Sequence, residues 1–102
     1  MVRVLEDRQQ AIAQACQRHG VLRMHAFGSA LREDFRPGDS DIDLLVEFVP
    51  MNPHQLVDAY FNLLDELRLI LGTEIDLVMS DAVKNRYIAA DIERTKQVLY
   101  AA

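Results

Sequence analysis

The chain has 102 residues, half of them apolar and 26% charged, the balance of one small globular domain. Its formal net charge is −5 with no Lys/Arg block along its length, which argues against direct nucleic-acid binding, because that normally needs a basic footprint. The single cysteine, Cys16, excludes an internal disulfide framework and a CxxC zinc site, and it is expected to be buried filler on a helix.

Taken in order, residues 5–19 lack Gly and Pro and repeat Ile12, Ala15, Cys16 and His19 at helical spacing, so a first helix is expected, stopped by Gly20. Residues 21–27 are short and partly alternating and predict a strand, broken by Gly28-Ser29. Ser29 is a candidate N-cap for a helical turn through Arg32. Residues 35–40 carry Pro37-Gly38 among polar neighbours and predict a loop. Residues 41–48 follow as a second strand whose apolar centre suggests burial on both faces.

Residues 54–71 show a helical pattern, with Leu56, Tyr60, Leu63, Leu64, Leu67 and Leu71 on one face and Gly72 as the stop. Residues 73–79 predict a third strand, and a last helical region capped by Ser80 or Asp81 is expected to reach about Tyr100, with Asn85-Arg86 as an interruption. The reading is one α/β (α+β) domain over residues 1–102, with a three-stranded mixed sheet flanked by helices. The second and third strands should be parallel neighbours through a right-handed crossover, and the first should pair antiparallel with the second.

The residues that carry chemistry are acidic. Asp41 and Asp43 are two apart at the start of an apolar strand, so both carboxylates project from one face. Two like charges so close need a counter-charge or a proton, and a hard divalent cation such as Mg²⁺ supplies the first through oxygen ligands. Asp76 repeats the anomaly inside Ile75-Asp76-Leu77-Val78, on the strand expected alongside, with Glu74 as its substitute two residues away. Eleven residues separate Ser29 from Asp41, enough for the chain to turn and bring Gly28-Ser29 back beside the carboxylates. There, glycine would allow close approach to a phosphate and serine would offer a hydroxyl.

Phe27-Gly28-Ser29, the spacer, Asp41-Ile42-Asp43-Leu44 and the later Ile75-Asp76-Leu77 together resemble the nucleotidyltransferase superfamily that includes DNA polymerase β, in particular its minimal (MNT) branch. The resemblance covers nearly the whole chain and implies the nucleotidyltransferase fold. It implies that Asp41, Asp43 and Asp76 bind one or two Mg²⁺ and act in catalysis, that Gly28 and Ser29 hold the triphosphate of ATP, and that Arg32 contacts phosphate. Relatives often have Ala-Arg-Gly shortly after the Ser; here Leu31-Arg32-Glu33 keeps the Arg and replaces the Gly with Glu. Arg36, Lys84 and Arg86 are weaker phosphate candidates.

Small stand-alone MNT proteins resemble antitoxins paired with HEPN-type RNase toxins. The resemblance therefore implies a toxin partner and transfer of AMP from ATP to a toxin tyrosine. A non-catalytic antitoxin of the same fold is the alternative, and transfer to a small molecule is a third reading that usually calls for an extra domain. The chain is too short to hold such a domain, so a docking partner is expected to supply specificity.

His19, His25 and His54 share no metal-ligand spacing and are expected to be structural. Tyr60, Phe61 and Tyr87 are expected in the core or an interface. Apolar residues wrap much of the long helix, Val57, Phe61 and Leu69 among them, which predicts that one flank of it, or the Val98-Leu99-Tyr100 end, docks on a homo- or hetero-oligomeric partner. With no signal peptide and no membrane-length apolar run in the sequence, the cytoplasm is the default expectation and no membrane association is expected.

Overall fold

The computed structural model describes residues 1–32 and 41–102; the expected loop at 35–40, with Glu33 and Arg36, lies outside the described residues. The first helical region is two helices, α1 (Arg3–Asp7) and α2 (Gln9–Arg18), parted at Arg8 where the backbone leaves helical geometry. Gly20, at φ +71°, turns the chain into β1 (Val21–Ala26). A 3₁₀ turn at Gly28–Leu31 follows, and the chain returns as β2 (Ile42–Phe48).

The long helix α3 (Pro53–Leu71) starts one residue before the expected range. Asn52 accepts from the Gln55 backbone at 2.8 Å, the Gln55 side chain accepts from the Asn52 amide at 3.2 Å, and Pro53 fills the first helical position. Gly72 ends the helix in the left-handed conformation at φ +66°, which glycine adopts without steric cost.

β3 (Ile75–Met79) leads into a 3₁₀ turn at Ser80–Ala82, then α4 (Arg86–Thr95) and β4 (Gln97–Ala101). Asn85 caps α4, accepting from the amides of Tyr87 and Ile88, so the interruption expected at Asn85-Arg86 is the true start of the helix.

The sheet runs β3-β2-β1-β4. β2 and β3 are parallel, and β1 and β2 antiparallel, as the crossover and hairpin rules require. The fourth strand departs from the three-stranded expectation. Residues 97–101 do not extend the last helix but pair antiparallel with β1. The free edge of β1 needs hydrogen-bond partners, and Val98, Leu99 and Tyr100 are good strand formers, so tertiary pairing overrides the helical pattern upstream.

One face of the sheet carries the core. Ile42, Leu44 and Val46 of β2 alternate onto it and meet Leu5, Ile12, Met24, Leu63 and Leu67, all at most 1% exposed. Tyr60 fastens α3 to β3 by donating its hydroxyl to the Leu77 carbonyl at 2.6 Å. Cys16 lies wholly inside; burial, then the nearby Glu66 charge, push its thiol up to about 12, so it is inert filler as expected. His19 is structural too, sharing Glu66 with Arg18.

The other face of the sheet is only partly covered. Leu45, on this face, is nevertheless buried, with Ile92 of α4 lining the same small cavity. β2 is thus buried on both sides at its centre, as its apolar run predicts. Among the described residues no helix is long and apolar enough to cross a membrane.

Candidate functional site

The parallel register of β2 and β3 sets Asp43 directly beside Asp76. Both belong to the open face of the sheet, opposite the core positions Ile42, Leu44, Ile75 and Leu77. Asp41 stands just before β2, exposed to solvent and two residues from Asp43. The expected association of Asp76 with Asp43 therefore follows from backbone pairing alone. Glu74 is not a substitute: its carboxylate lies 3.3 Å from Arg68 on α3.

The Gly28–Leu31 turn wraps around Asp43. The Ser29 amide donates to Asp43 Oδ2 at 2.9 Å. Ser29 Oγ is 2.9 Å from the same oxygen and 2.5 Å from the Asp41 carbonyl, so its one proton is shared between the two acceptors. Ser29 is thus not the N-cap the sequence suggests; Phe27 occupies that position and Ser29 lies within the turn.

The glycine has an equally local reason. Gly28 sits at φ +53°, and a Cβ there would lie 2.6 Å from Asp43 Oδ2. Sequence reasoning assigned Gly28 and Ser29 to a phosphate; in the structure Gly28 leaves room for the Asp43 carboxylate and Ser29 bonds it.

The electrostatics are those of crowded anions. Asp76 holds its proton above the ordinary carboxylate range: partial desolvation is the largest cause, followed by the Asp43 charge, a hydrogen bond with Asp43 and the Asp41 charge. Among the described residues no Lys, Arg or His forms an ion pair with any of the three. Nor, among those residues, are three His, Cys, Asp or Glu side chains grouped closely enough to cage an ion unaided.

This donor set suits a hard divalent cation such as Mg²⁺. Mg²⁺ is commonly held by one or two carboxylates, with water and substrate phosphates completing its octahedron. Hard oxygens of uncompensated charge, open to solvent on one side, meet that requirement.

The remaining candidates separate. Arg32 follows the turn, exposed, its amide donating to Ser29 O at 3.2 Å. Lys84 donates to the Asp81 carbonyl and stitches the turn after β3. Arg86 opens α4. His25, given no role from sequence, pairs with Leu45 on the same sheet face as Asp43, one alternation step away.

Residues 8–99 match the sequence model of the nucleotidyltransferase domain. The chain belongs to the nucleotidyltransferase domain family.

Two curated relatives of this nucleotidyltransferase come from Methanocaldococcus jannaschii. MJ0128, a proposed protein adenylyltransferase, is 40% identical over 77 residues, which are 76% of this chain and 74% of that protein. MJ1379, likewise a proposed protein adenylyltransferase, is 36% identical over 67 residues, 66% of this chain and 65% of that protein.

Among solved structures, a proposed minimal nucleotidyltransferase superposes at a TM-score of 0.75 with 30% identity, over 91% of this chain and 90% of its own. A toxin–antitoxin structure with AMP-PNP has the same fold at a TM-score of 0.66 and 18% identity, over 92% of this chain and 73% of its own. The MntA-HepT toxin–antitoxin structure shares it at a TM-score of 0.62 and 16% identity, over 95% and 73%.

Proposed function

We propose that this nucleotidyltransferase is a Mg²⁺-dependent protein adenylyltransferase of the antitoxin kind, which moves AMP from ATP to a tyrosine of an RNase toxin partner. The observation that carries the reading is Asp43 beside Asp76 in the parallel register, with the Gly28-Ser29 bend clamped on Asp43. The proposed activity of MJ0128 supports the chemistry, and the fold shared with toxin–antitoxin structures, one of them with AMP-PNP, supports the nucleotide and the class of partner.

In this reading Asp41 and Asp43 hold one or two Mg²⁺ with the nucleotide phosphates, and Asp76 is a further ligand. Bound Mg²⁺ supplies charge neutralisation at both the entering and the leaving oxygens. The turn from Gly28 to Arg32 faces the polyphosphate. Ser29 fixes the Asp43 carboxylate, and Arg32 reaches a phosphate oxygen.

The acceptor hydroxyl oxygen bonds to the α-phosphorus as the bond from that phosphorus to its bridging oxygen breaks. That electron pair leaves with pyrophosphate. The hydroxyl proton passes to Asp76. No covalent enzyme intermediate is needed, and catalysis is mainly positioning and charge stabilisation. The apolar residues left exposed on α3, Val57 (55%), Phe61 (57%) and Leu69 (85%), offer contact area for a protein partner.

The test incubates the chain with ATP labelled at the α-phosphate, Mg²⁺ and the candidate toxin, beside the Asp43→Asn variant. Label on a toxin tyrosine with the unaltered chain alone is the expected result. Tight complex formation by both chains with no label transferred would leave a binding antitoxin and overturn the catalytic reading.

A further inference from the structure

The sheet has two edges, and they differ. β3 is guarded: Asp76 puts a carboxylate within it, and the Tyr60 hydroxyl takes its Leu77 carbonyl at 2.6 Å. β4, at the opposite edge, reads Gln97-Val98-Leu99-Tyr100-Ala101, with no charge and no proline. β1 occupies one side of it, and among the described residues no side chain bonds its backbone. An edge of this kind presents unpaired N–H and C=O groups to another strand. Leu99, left over in the register with β1, is buried, whereas Val98 is 56% exposed on the open face.

The helix beside this edge continues the surface. α2 packs on β1 and β4, with α3 on its other side, where Arg18 reaches Glu66. The flank of α2 away from α3 carries Gln9, Ala13 and Gln17, spaced four apart, with both glutamines exposed. Strand edge and helix flank together are free of charge, in a chain where 26% of residues are charged. Of the charges next to them, Arg18 binds Glu66 and Lys96 binds Glu93.

These features fit a second copy of the same chain. At a net charge of −5, two copies repel, and they approach most easily where neither carries charge. A strand edge is its own complement when a twofold axis turns it antiparallel, because its donors then meet its acceptors. Glutamine amides, each both donor and acceptor, match their own image in the same way. The edge spans only about 17 Å, and a stable dimer buries about 800 Å² on each partner, so the α2 flank must share the contact.

We propose that two copies of this chain pair β4 with β4, antiparallel about a twofold axis near Leu99, to form one continuous sheet. Their α2 flanks meet on the face that carries the core. The axis stands perpendicular to the sheet, so both open faces point the same way. Each Asp43–Asp76 pair stays uncovered, with β1 between β2 and the seam. The α3 flank with Val57 and Phe61 also stays free, since α2 lies between α3 and the seam. The dimer thus carries two sites facing one direction, whatever reaction they perform.

Sedimentation equilibrium of the whole chain, from micromolar to millimolar concentration, should approach twice the 11.6 kDa of one chain. Val98→Lys, which sets like charges against each other at the seam, should weaken association roughly tenfold or more. Gln9→Glu with Gln17→Glu, both exposed on α2, should weaken it through the helices. Amide spectra of both variants at low concentration should match the parent away from the substituted residues, which reports an intact fold. In a mixture of ¹⁵N-labelled and unlabelled chains, isotope-filtered contacts between copies should join Gln97–Ala101 to its own image. A monomer at every concentration, an association that neither variant weakens, or contacts between copies at α3 would each overturn the assignment. So would a monomer whose β4 amides gain protection from exchange only when a candidate toxin is added, since that gives the edge to a different partner.

Discussion

Ser29 meets Asp43 Oδ2 twice at 2.9 Å, through its amide, which donates, and through its hydroxyl, whose one proton is shared with the Asp41 carbonyl. A hydrogen bond to a charged group is worth about 1.5–3 kcal/mol net, and here the hydroxyl bond holds the orientation of a carboxylate rather than the fold. Ser29→Ala is therefore expected to lower the rate of label transfer by roughly 10–100-fold with little change in melting temperature. Ser29→Thr, which keeps the hydroxyl, should recover most of the rate. Initial-rate kinetics beside calorimetry of the three chains checks this.

Gly28→Ala is expected to be harsher. The added Cβ meets Asp43 Oδ2 at 2.6 Å in a backbone held at φ +53°, and a non-glycine residue in the left-handed region costs on the order of 1–2 kcal/mol before any clash. Asp43 must move or the turn must open. Activity should fall further than in Ser29→Ala, and the melting temperature should drop by roughly 4–8 °C for each kcal/mol lost in a domain of this size.

Asp76 gives a pH dependence of definite sign. Its folded proton affinity is raised above the ordinary carboxylate value of 3.8 by desolvation and by Asp43 and Asp41. The folded chain then binds more protons than the unfolded chain between those two values, so stability falls as pH rises through that window. Asp76→Asn removes the penalty. At neutral pH without Mg²⁺ the variant should melt above the parent while being inactive, and the gap should close below about pH 3.8. Added Mg²⁺ with nucleotide should raise the melting temperature of the parent more than that of the variant.

The clamp joining α2 to α3 should behave in the opposite way. Burial pushes the Glu66 carboxyl up, but hydrogen bonds and charge from Arg18 and His19 outweigh it and hold it below its usual 4.5. A depressed carboxylate contributes stability above its unfolded value and loses it as pH falls through the folded one. The melting-temperature gap between the parent and Glu66→Gln is expected to be full near neutrality and to shrink below about pH 4.5.

On α3, replacing the exposed Val57 and Phe61 with Ser should leave the melting temperature within a few degrees, since both side chains are more than half exposed. Pull-down of the proposed toxin partner should weaken. A complex of unchanged affinity would move the docking surface elsewhere on the chain.

Part of this site is legible in the sequence because strands alternate: Asp43 had to lie opposite Ile42 and Leu44, and a carboxylate among Ile75, Leu77 and Val78 is out of place unless something uses it, whereas Asp41, expected to share the strand, stands just before it. That β2 and β3 run parallel followed from the crossover, but the register that sets Asp43 beside Asp76 came only from the structure. What pattern could not reach was contact across distance. Ser29 meets Asp43 fourteen residues on, and no local rule says that a serine after a strand will bond a carboxylate in the next. β4 was hidden for a similar reason, because its strand character is satisfied only by the far edge of β1.

The most direct measurement of whether Asp43 and Asp76 hold the metal and its nucleotide uses Mn²⁺ in place of Mg²⁺. With a non-hydrolysable ATP analogue and the ¹⁵N-labelled chain, paramagnetic broadening should centre on the amides of Ser29, Asp43 and Asp76 and disappear in Asp43→Asn. Broadening centred on any other surface, or unchanged in Asp43→Asn, would contradict the assignment.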